Sequence, residues 1–299
     1  MDVASCVADR YGPRASHPEP LAAGWWSRAY AFRLDGRDAV IRFGAHLQDF
    51  AKDRVMGEQR SPALPIPRVL DLGKTPEGYF VVSERAHGTM LDDLDGDGMR
   101  RVLPALLDAL DALRSVRVPG ARGYGLWAPD GAAPHPTWRE ALLSVTGERP
   151  RTPGWREALA AVPEANAAFA EGCAALDVAA RDLPDVRHVI HCDLLYRNVM
   201  VQADRIAAVL DWGNALLGDP LYDAAWLVYW WPWHPAWRGI DIAAALAERW
   251  PAADLRHRLR CYQLHIGLDH IVWHAFTGEG VSLMRTVRQT LALARNRQG

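Results

Sequence analysis

The segment from His188 to Asp223 constrains the fold of this 299-residue chain more than any other part of its sequence. Three short apolar runs alternate in it with polar positions that include Asp193, Asn198 and Asp211. This alternation predicts short strands with a polar side chain at their ends, and the polar residues 202–205 predict a hairpin turn between two of them. Loop residues that strand ends hold in place are common positions for chemistry.

The spacing of these three residues is typical of enzymes that transfer the γ-phosphoryl group of a nucleotide. In the kinase catalytic loop an Asp accepts the proton of the attacking hydroxyl, and an Asn five residues later binds magnesium. Asp193 and Asn198 have this spacing, and Asp211, one hairpin later, is the second candidate magnesium ligand. Magnesium prefers a few hard oxygen ligands from protein. The alternative, a hairpin with polar turn residues, does not account for the order of all three.

The composition excludes several other classes of protein. Hydrophobic residues make up 49% of the chain and charged residues 23%, as in globular proteins, and the length allows two lobes. The net charge of −2 gives no indication of a nucleic-acid or membrane partner. Four widely spaced cysteines without a CxxC pair argue against a disulfide framework or zinc site. Without a signal peptide or a long apolar run, we expect the protein in the cytoplasm. We also expect it to be a monomer.

The first part of the chain predicts an antiparallel sheet. Asp35-Gly36 between two apolar runs predicts a hairpin, and further strands are expected over residues 39–43, 69–73 and 79–84. Residues 45–60 predict a helix. Kinases cover the nucleotide phosphates with a glycine-rich loop, but the first turn here offers only Gly24, followed by two Trp residues.

Arg42 occupies the third-strand position where kinases place a phosphate-binding Lys. Arg can also neutralise a phosphate group, and the two Lys residues of the chain lie outside that strand. Asp53 and Glu58 on the following helix are candidate partners; Asp53 is preferred, although spacing leaves both open. A solvated surface position is the alternative for Arg42.

Residues 84–88 predict a linker between two lobes, with Gly88 as a hinge. We therefore expect a nucleotide-binding lobe over residues 1–87 and a catalytic and substrate-binding lobe over residues 88–299. Glu84 and Ala86 are candidates for contacting the nucleotide. Beyond Gly88 the apolar period becomes helical, first over residues 99–116. The expected fold is an α/β (α+β), two-lobed, protein-kinase-like fold with a mostly helical second lobe.

These motifs resemble those of the aminoglycoside phosphotransferases, and the resemblance extends over most of the chain. Its hallmarks are residues 191–198, residues 210–212 and Gly218-Asp219-Pro220. Stretches at residues 63–73, 184–188, 230–233 and 259–269 are similar to the subgroup that phosphorylates hygromycin B at its 4-hydroxyl. The resemblance implies transfer of phosphate from ATP (or GTP), with magnesium, to a hydroxyl of an aminocyclitol antibiotic, which gives antibiotic resistance. It also implies that Asp193 is the base and that Asn198 and Asp211 bind the metal.

Trp230 and Trp233 are candidate substrate contacts, because an aromatic wall suits a sugar ring that carries ammonium groups. A core aromatic cluster is the equal alternative. Asp193 and Asp223 are the candidate carboxylates for the substrate. Between residues 177 and 223 the chain has eight Asp and four Arg, which favours a cationic substrate.

Several assignments stay open at this level. Asp219 is a candidate for binding an ammonium group or for capping the following helix. Asp269 is a candidate for a buried carboxylate in helix packing or for a substrate ligand. Cys192 stands where the subgroup has Ala, and the loop at residues 194–197 also differs from the subgroup. Arg197 in this loop can face the transferred phosphate or the solvent. His265, His270 and His274 lack a third-ligand pattern for a metal. The alternative functions are a kinase of another alcohol (a macrolide, choline, homoserine or a sugar) and a catalytically silent kinase-like binding module.

Overall fold

The computed structural model describes residues 2–195 and 197–296, which excludes Tyr196 of the catalytic loop. The chain divides into two compact units. The first comprises Met1–Gly120, Ala128–Gly131 and Leu195–Ala215, and the second comprises Ala121–Trp127, Ala132–Leu194 and Leu216–Gly299. The division at Gly88 into a nucleotide lobe and a catalytic lobe concerns function and stays a prediction.

The described residues form helices and short strands in the following order. The helices are α1 Val3–Tyr11, α2 Leu47–Gly57, α3 Gly96–Arg114, α4 Trp138–Leu143, α5 Trp155–Ala160, α6 Pro163–Ala179, α7 Leu221–Trp230, α8 Ile242–Arg249, α9 Leu255–Thr277 and α10 Gly280–Arg295. The strands are β1 Glu19–Ala23, β2 Ser27–Leu34, β3 Arg37–Gly44, β4 Val69–Thr75, β5 Gly78–Glu84, β6 Thr89–Met90, β7 Gly125–Leu126, β8 His188–Ile190, β9 Val199–Gln202, β10 Arg205–Val209 and β11 Leu216–Gly218.

The first unit contains the predicted antiparallel sheet, with the strand order β1-β2-β3-β5-β4. Asp35 and Gly36 make the tight turn between β2 and β3, and both have positive φ angles, 51° and 76°, as a two-residue hairpin turn requires. Helix α1 packs its apolar side on the sheet, where Val7, Phe32, Ile41 and Phe80 are buried in one core. Burial of these side chains is the main stabilising contribution here.

A second, three-stranded sheet in the first unit has the order β10-β9-β6. Strands β9 and β10 form the hairpin expected from the opening motif, with Gln202 paired to Arg205. In the second unit, β8 and β11 pair with each other and β11 also pairs with β7, while helices α4 to α10 form the rest. The antiparallel sheet and the mostly helical second half of the chain are therefore confirmed. In the described part of the chain, no helix has the length and apolar character needed to cross a membrane.

Candidate active site

Asn198 and Asp211 lie at the same end of the β9–β10 hairpin. Val199 pairs with Val209 in the ladder, and the N–H of Leu210 donates to the carbonyl oxygen of Asn198 at 2.8 Å. Asn198 is buried, whereas Asp211 is exposed. One amide oxygen and one carboxylate from a single hairpin end fit the preference of magnesium for a few oxygen ligands, with water and phosphate completing its coordination.

The backbone around Asp211 is unusual. Asp211 has a φ of 58°, in the left-handed region that side chains other than glycine rarely adopt. Its Oδ1 atom accepts the N–H of Gly213 at 3.3 Å. A Cβ atom on residue 213 would lie only 2.9 Å from Cγ of Asp49, so this position requires glycine. The surroundings thus hold Asp211 in a conformation that would otherwise be strained.

Helix α2 supplies two adjacent buried charges to this loop. Asp53 pairs with Arg42 on β3, and its Oδ1 atom accepts the N–H of Trp212 at 2.9 Å. Lys52 donates from Nζ to the carbonyl oxygens of Gly213 at 2.9 Å and Ala215 at 3.1 Å. Sequence reasoning found Asp53 but gave no role to Lys52, because its partners are backbone atoms more than 160 residues away.

Of the two carboxylates considered for Arg42, Asp53 is the one that pairs with it. Burial alone would lower the pKa of Arg42, but the charges of Asp53 and Asp211 raise it above its ordinary value. Arg42 is therefore a permanent cation on β3. Its binding to phosphate stays a prediction.

Glu84 and Ala86 line a cavity of about 420 Å³ within the first unit, together with Arg60, Ile66 and Ala207. The Glu84 carboxylate accepts from Nη1 of Arg60 at 3.0 Å and from the N–H of Arg68 at 3.1 Å. These contacts hold the Glu84 side chain in place, while the lining mixes apolar and polar atoms. That Glu84 and Ala86 contact a nucleotide stays a prediction.

In the second unit, Asp193 follows β8 and is half-buried. Its N–H donates to Nδ1 of His191 at 3.2 Å, and the His191 side chain is completely buried. The Asp223 carboxylate on α7 accepts the N–H of His191 at 2.8 Å and that of Cys192 at 2.9 Å. Cys192 has a φ of 66°, so both contacts help to hold a left-handed residue directly before Asp193.

Asp223 is 1% exposed, and burial raises the pKa of its carboxyl group to about 7. Each of its two oxygens accepts a backbone N–H, so the structure shows it as a brace for the segment that carries Asp193. Its expected contact with substrate stays a prediction. The partners of Asp223 shown here are backbone N–H groups, which any residue provides, and this is why sequence reasoning missed the brace.

Trp230 and Trp233 have different environments. Trp230 is 1% exposed and packs edge-on against Tyr229, Trp233 and His270, with ring centroids 4.6 to 5.0 Å apart. Trp233 is half-buried, and the guanidinium of Arg285 lies 4.0 Å from its ring centroid. The ring of Trp233 thus already takes a cation, while Trp230 is a core side chain. Substrate contact by either one stays a prediction.

His265 and His270 on α9 contact groups of the protein itself. Among residues 2–195 and 197–296, no group of three or more His, Cys, Asp or Glu is arranged to hold a metal ion. His270 directs Nδ1 to the carbonyl oxygen of Ile266 at 2.8 Å. Burial lowers the pKa of His265 to about 4, so this side chain is neutral, and its Nδ1 lies 2.8 Å from the hydroxyl of Tyr222.

Asp219 and Asp269 differ in their contacts. Asp219 is completely buried; it accepts the N–H of Leu221 at 3.0 Å and pairs with Arg258, so it braces the start of α7. Asp269 pairs with Arg149 at 2.7 Å and is partly exposed. Burial would raise the pKa of Asp269, but the charge of Arg149 lowers it to about 2, so Asp269 is ionised.

Arg197, in the first unit, binds Asp93 through two hydrogen bonds of 3.0 and 3.2 Å. Its N–H donates to Asp92 at 3.0 Å, and its φ angle is 69°. The side chain is paired with a carboxylate while remaining exposed. Its neighbour Tyr196, part of the loop that departs from the subgroup, lies outside the described residues.

The fold and these motifs define a class of protein. The model of the phosphotransferase enzyme family matches residues 17–260, and the chain belongs to this family. In sequence it is similar to hygromycin-B 4-O-kinase from Escherichia coli, with 34% identity over 253 residues, which cover 84% of this chain and 72% of that protein. The resemblance to aminoglycoside phosphotransferases is therefore confirmed.

Solved structures agree over the whole length of the chain. The ternary complex of a thermostable mutant of aminoglycoside phosphotransferase APH(4)-Ia with AMP-PNP and hygromycin B matches with a TM-score of 0.89 and 30% identity, covering 100% of both chains. Spectinomycin phosphotransferase APH(9)-Ia, in complex with ADP and spectinomycin, matches with a TM-score of 0.63 and 13% identity, covering 98% of this chain and 97% of that one. The second match shows the fold alone, and the expected kinase-like fold is confirmed.

Proposed function

We propose that this protein is an ATP- and magnesium-dependent O-phosphotransferase that phosphorylates a hydroxyl of an aminocyclitol antibiotic, hygromycin B. The function would be antibiotic resistance. The reaction would take place in the cytoplasm, because that compartment supplies the nucleotide. The observation that carries the proposal is the β9–β10 hairpin end, which holds Asn198 and Asp211 together in a chain that matches APH(4)-Ia over its full length.

The reaction we propose is a single displacement at the γ-phosphorus. The antibiotic hydroxyl oxygen bonds to phosphorus, the bond from phosphorus to the β–γ bridging oxygen breaks, and ADP leaves with that electron pair. The Asp193 carboxylate orients the hydroxyl and takes its proton, which then passes to solvent. His191 and Asp223 hold the Asp193 segment before substrate arrives, so positioning and charge contribute more than covalent chemistry.

Asn198 and Asp211 would hold the metal, which neutralises charge on the phosphates when it is bound. Arg42, kept cationic by Asp53, would bind a phosphate oxygen from β3. The cavity at Glu84 and Ala86 would receive the nucleobase, and its volume of about 420 Å³ lies in the range of small-molecule binding sites. All the residues given these roles belong to the first unit.

The antibiotic carries ammonium groups on sugar-like rings, and the second unit offers groups that match them. Asp269 is ionised and partly exposed, and Trp233 is half-buried. The guanidinium of Arg285 already lies against the Trp233 ring, so an ammonium group of the substrate would take its place there. These features favour an aminocyclitol over an uncharged sugar or a macrolide.

A substrate panel tests the proposal. Purified protein is incubated with ATP, magnesium and each candidate alcohol, and nucleotide consumption and product mass are followed. We expect hygromycin B to gain one phosphoryl group and to have the highest kcat/KM of the panel. Turnover confined to choline, homoserine, a macrolide or a simple sugar would replace the substrate and keep the chemistry. Nucleotide binding without turnover on any alcohol would support a silent binding module.

A further inference from the structure

Lys52 is a buried ammonium group whose partners lie on the loop that follows Asp211. The side chain is 2% exposed. Its Nζ atom donates to the carbonyl oxygens of Gly213 at 2.9 Å and Ala215 at 3.1 Å. Taking a charged group out of water is costly unless strong partners replace the lost hydration, so these two hydrogen bonds are energetically important.

The adjacent residue on α2 binds the same loop through groups of the opposite kind. Asp53 accepts the N–H of Trp212 at 2.9 Å, while Lys52 donates to carbonyl oxygens one and three residues further along. The loop also closes on itself, since the N–H of Ala215 donates to the carbonyl oxygen of Trp212 at 3.0 Å. Helix α2 thus binds one N–H group and two carbonyl oxygens of residues 212–215.

This fixation bears on Asp211 because that residue is in a strained conformation. Its φ of 58° lies in the left-handed region, and a residue with a side chain keeps such a conformation where surrounding contacts hold it. On its other side, Leu210 is bound to Asn198 at 2.8 Å. The contacts of α2 are therefore the downstream anchor of the Asp211 turn.

We propose that Lys52 is a positioning residue for phosphoryl transfer, which acts through the backbone of residues 213–215 to hold the Asp211 carboxylate in its metal-binding geometry. The proposal rests on the proposed function, in which Asp211 binds magnesium. Residues that orient a metal ligand through hydrogen bonds typically change metal affinity or activity about 10- to 100-fold when they are replaced. Lys52 contacts neither the substrate nor the metal in this account.

The test variant is Lys52→Met, which keeps the length of the side chain and removes the ammonium group. Two quantities are measured: amide hydrogen exchange of residues 209–216 in protein free of metal and nucleotide, and the magnesium concentration that half-activates phosphorylation of hygromycin B. We expect faster exchange of these amides and a magnesium concentration for half-activation that is about tenfold higher, with the KM for the antibiotic unchanged. Lys52→Arg, which keeps a donor and a charge, should lie closer to wild type.

Met56→Ala is the control for stability, because Met56 is a completely buried core residue of the same helix. It should lower the melting temperature as Lys52→Met does, without the rise in the magnesium requirement. Arg54→Met, at an exposed position of α2, should behave as wild type. If Lys52→Met and Met56→Ala show the same amide exchange and the same magnesium requirement, Lys52 is not a positioning residue. Turnover by the wild-type protein would still support the proposed function in that case. Wild-type protein without turnover would instead overturn the proposed function itself.

Discussion

Asp223 accepts the backbone N–H of His191 at 2.8 Å, although 32 residues separate them in the chain. The same carboxylate accepts the N–H of Cys192, so it holds the segment that leads to Asp193. Asp223→Asn would turn an NH₂ group towards one of these N–H donors and leave that contact repulsive. We expect kcat to fall about 10- to 100-fold, as for other residues that orient a catalytic group.

Steady-state kinetics separate this role from the contact with substrate that the sequence suggested for Asp223. A brace predicts a lower kcat with an unchanged KM for the antibiotic, whereas a substrate ligand predicts mainly a higher KM. A variant with normal kcat and a raised KM would contradict the brace. Circular dichroism of the variant checks that the fold is retained.

The raised pKa of Asp223 gives this brace a pH dependence. Burial raises the pKa to about 7, whereas the unfolded chain has an ordinary value of about 4. As pH falls through 7, Asp223 gains a proton and accepts N–H groups less well, so kcat of the wild type should decline. Between these two pKa values the folded protein holds a proton that the unfolded chain has lost, so this group increases stability as pH falls. If kcat of Asp223→Asn still declines as the pH falls through 7, protonation of Asp223 is not the cause of the decline.

Trp230 and Trp233 should separate into a core residue and a substrate contact. Trp230→Ala removes a side chain that is 1% exposed, and we expect it to lower the free energy of unfolding by about 3–5 kcal/mol. Trp233→Ala should cost less stability and raise the KM for the antibiotic about tenfold, with partial recovery in Trp233→Phe. Thermal melts and steady-state kinetics measure the two effects. A raised KM in Trp230→Ala without loss of stability would reverse the assignment.

The Arg42–Asp53 pair should show strong coupling, because the side chains are only 19% and 10% exposed. Arg42→Met leaves the Asp53 charge without its partner, and breaking such a pair typically costs about 3–5 kcal/mol. Combining it with Asp53→Leu should cost less than the sum of the two single changes. The KM for ATP should be higher than in the wild type for both Arg42→Met and the double variant, because both lack the cation on β3. Additive losses of stability in urea unfolding would contradict the coupling.

Local patterns in the sequence predicted much of the fold. Asp35-Gly36 allows positive φ angles at both turn positions, and the turn after Gln202 closes between paired strand ends. Longer helices such as α9 carry enough apolar positions to be recognised. Strands β6, β7 and β11 were missed, because segments of two or three residues become strands only through pairing with distant partners.

The candidate site was predictable where side-chain identity carries the chemistry. Asp193, Asn198 and Asp211 are recognised by spacing, and Arg42 by its strand position. The observed contacts of Lys52 and Asp223 were not predicted, because each side chain binds backbone groups that any residue provides. Such contacts are determined by the fold and leave no pattern in the sequence.

The most direct test of the account is the phosphorylation of hygromycin B by purified wild-type protein and by Asp193→Asn, with product mass measured after incubation with ATP and magnesium. We expect wild type to add one phosphoryl group. We expect the variant to fold normally and lose nearly all turnover, because its amide cannot take the hydroxyl proton. A folded Asp193→Asn protein that phosphorylates hygromycin B at the wild-type rate would contradict the central claim that Asp193 is the base.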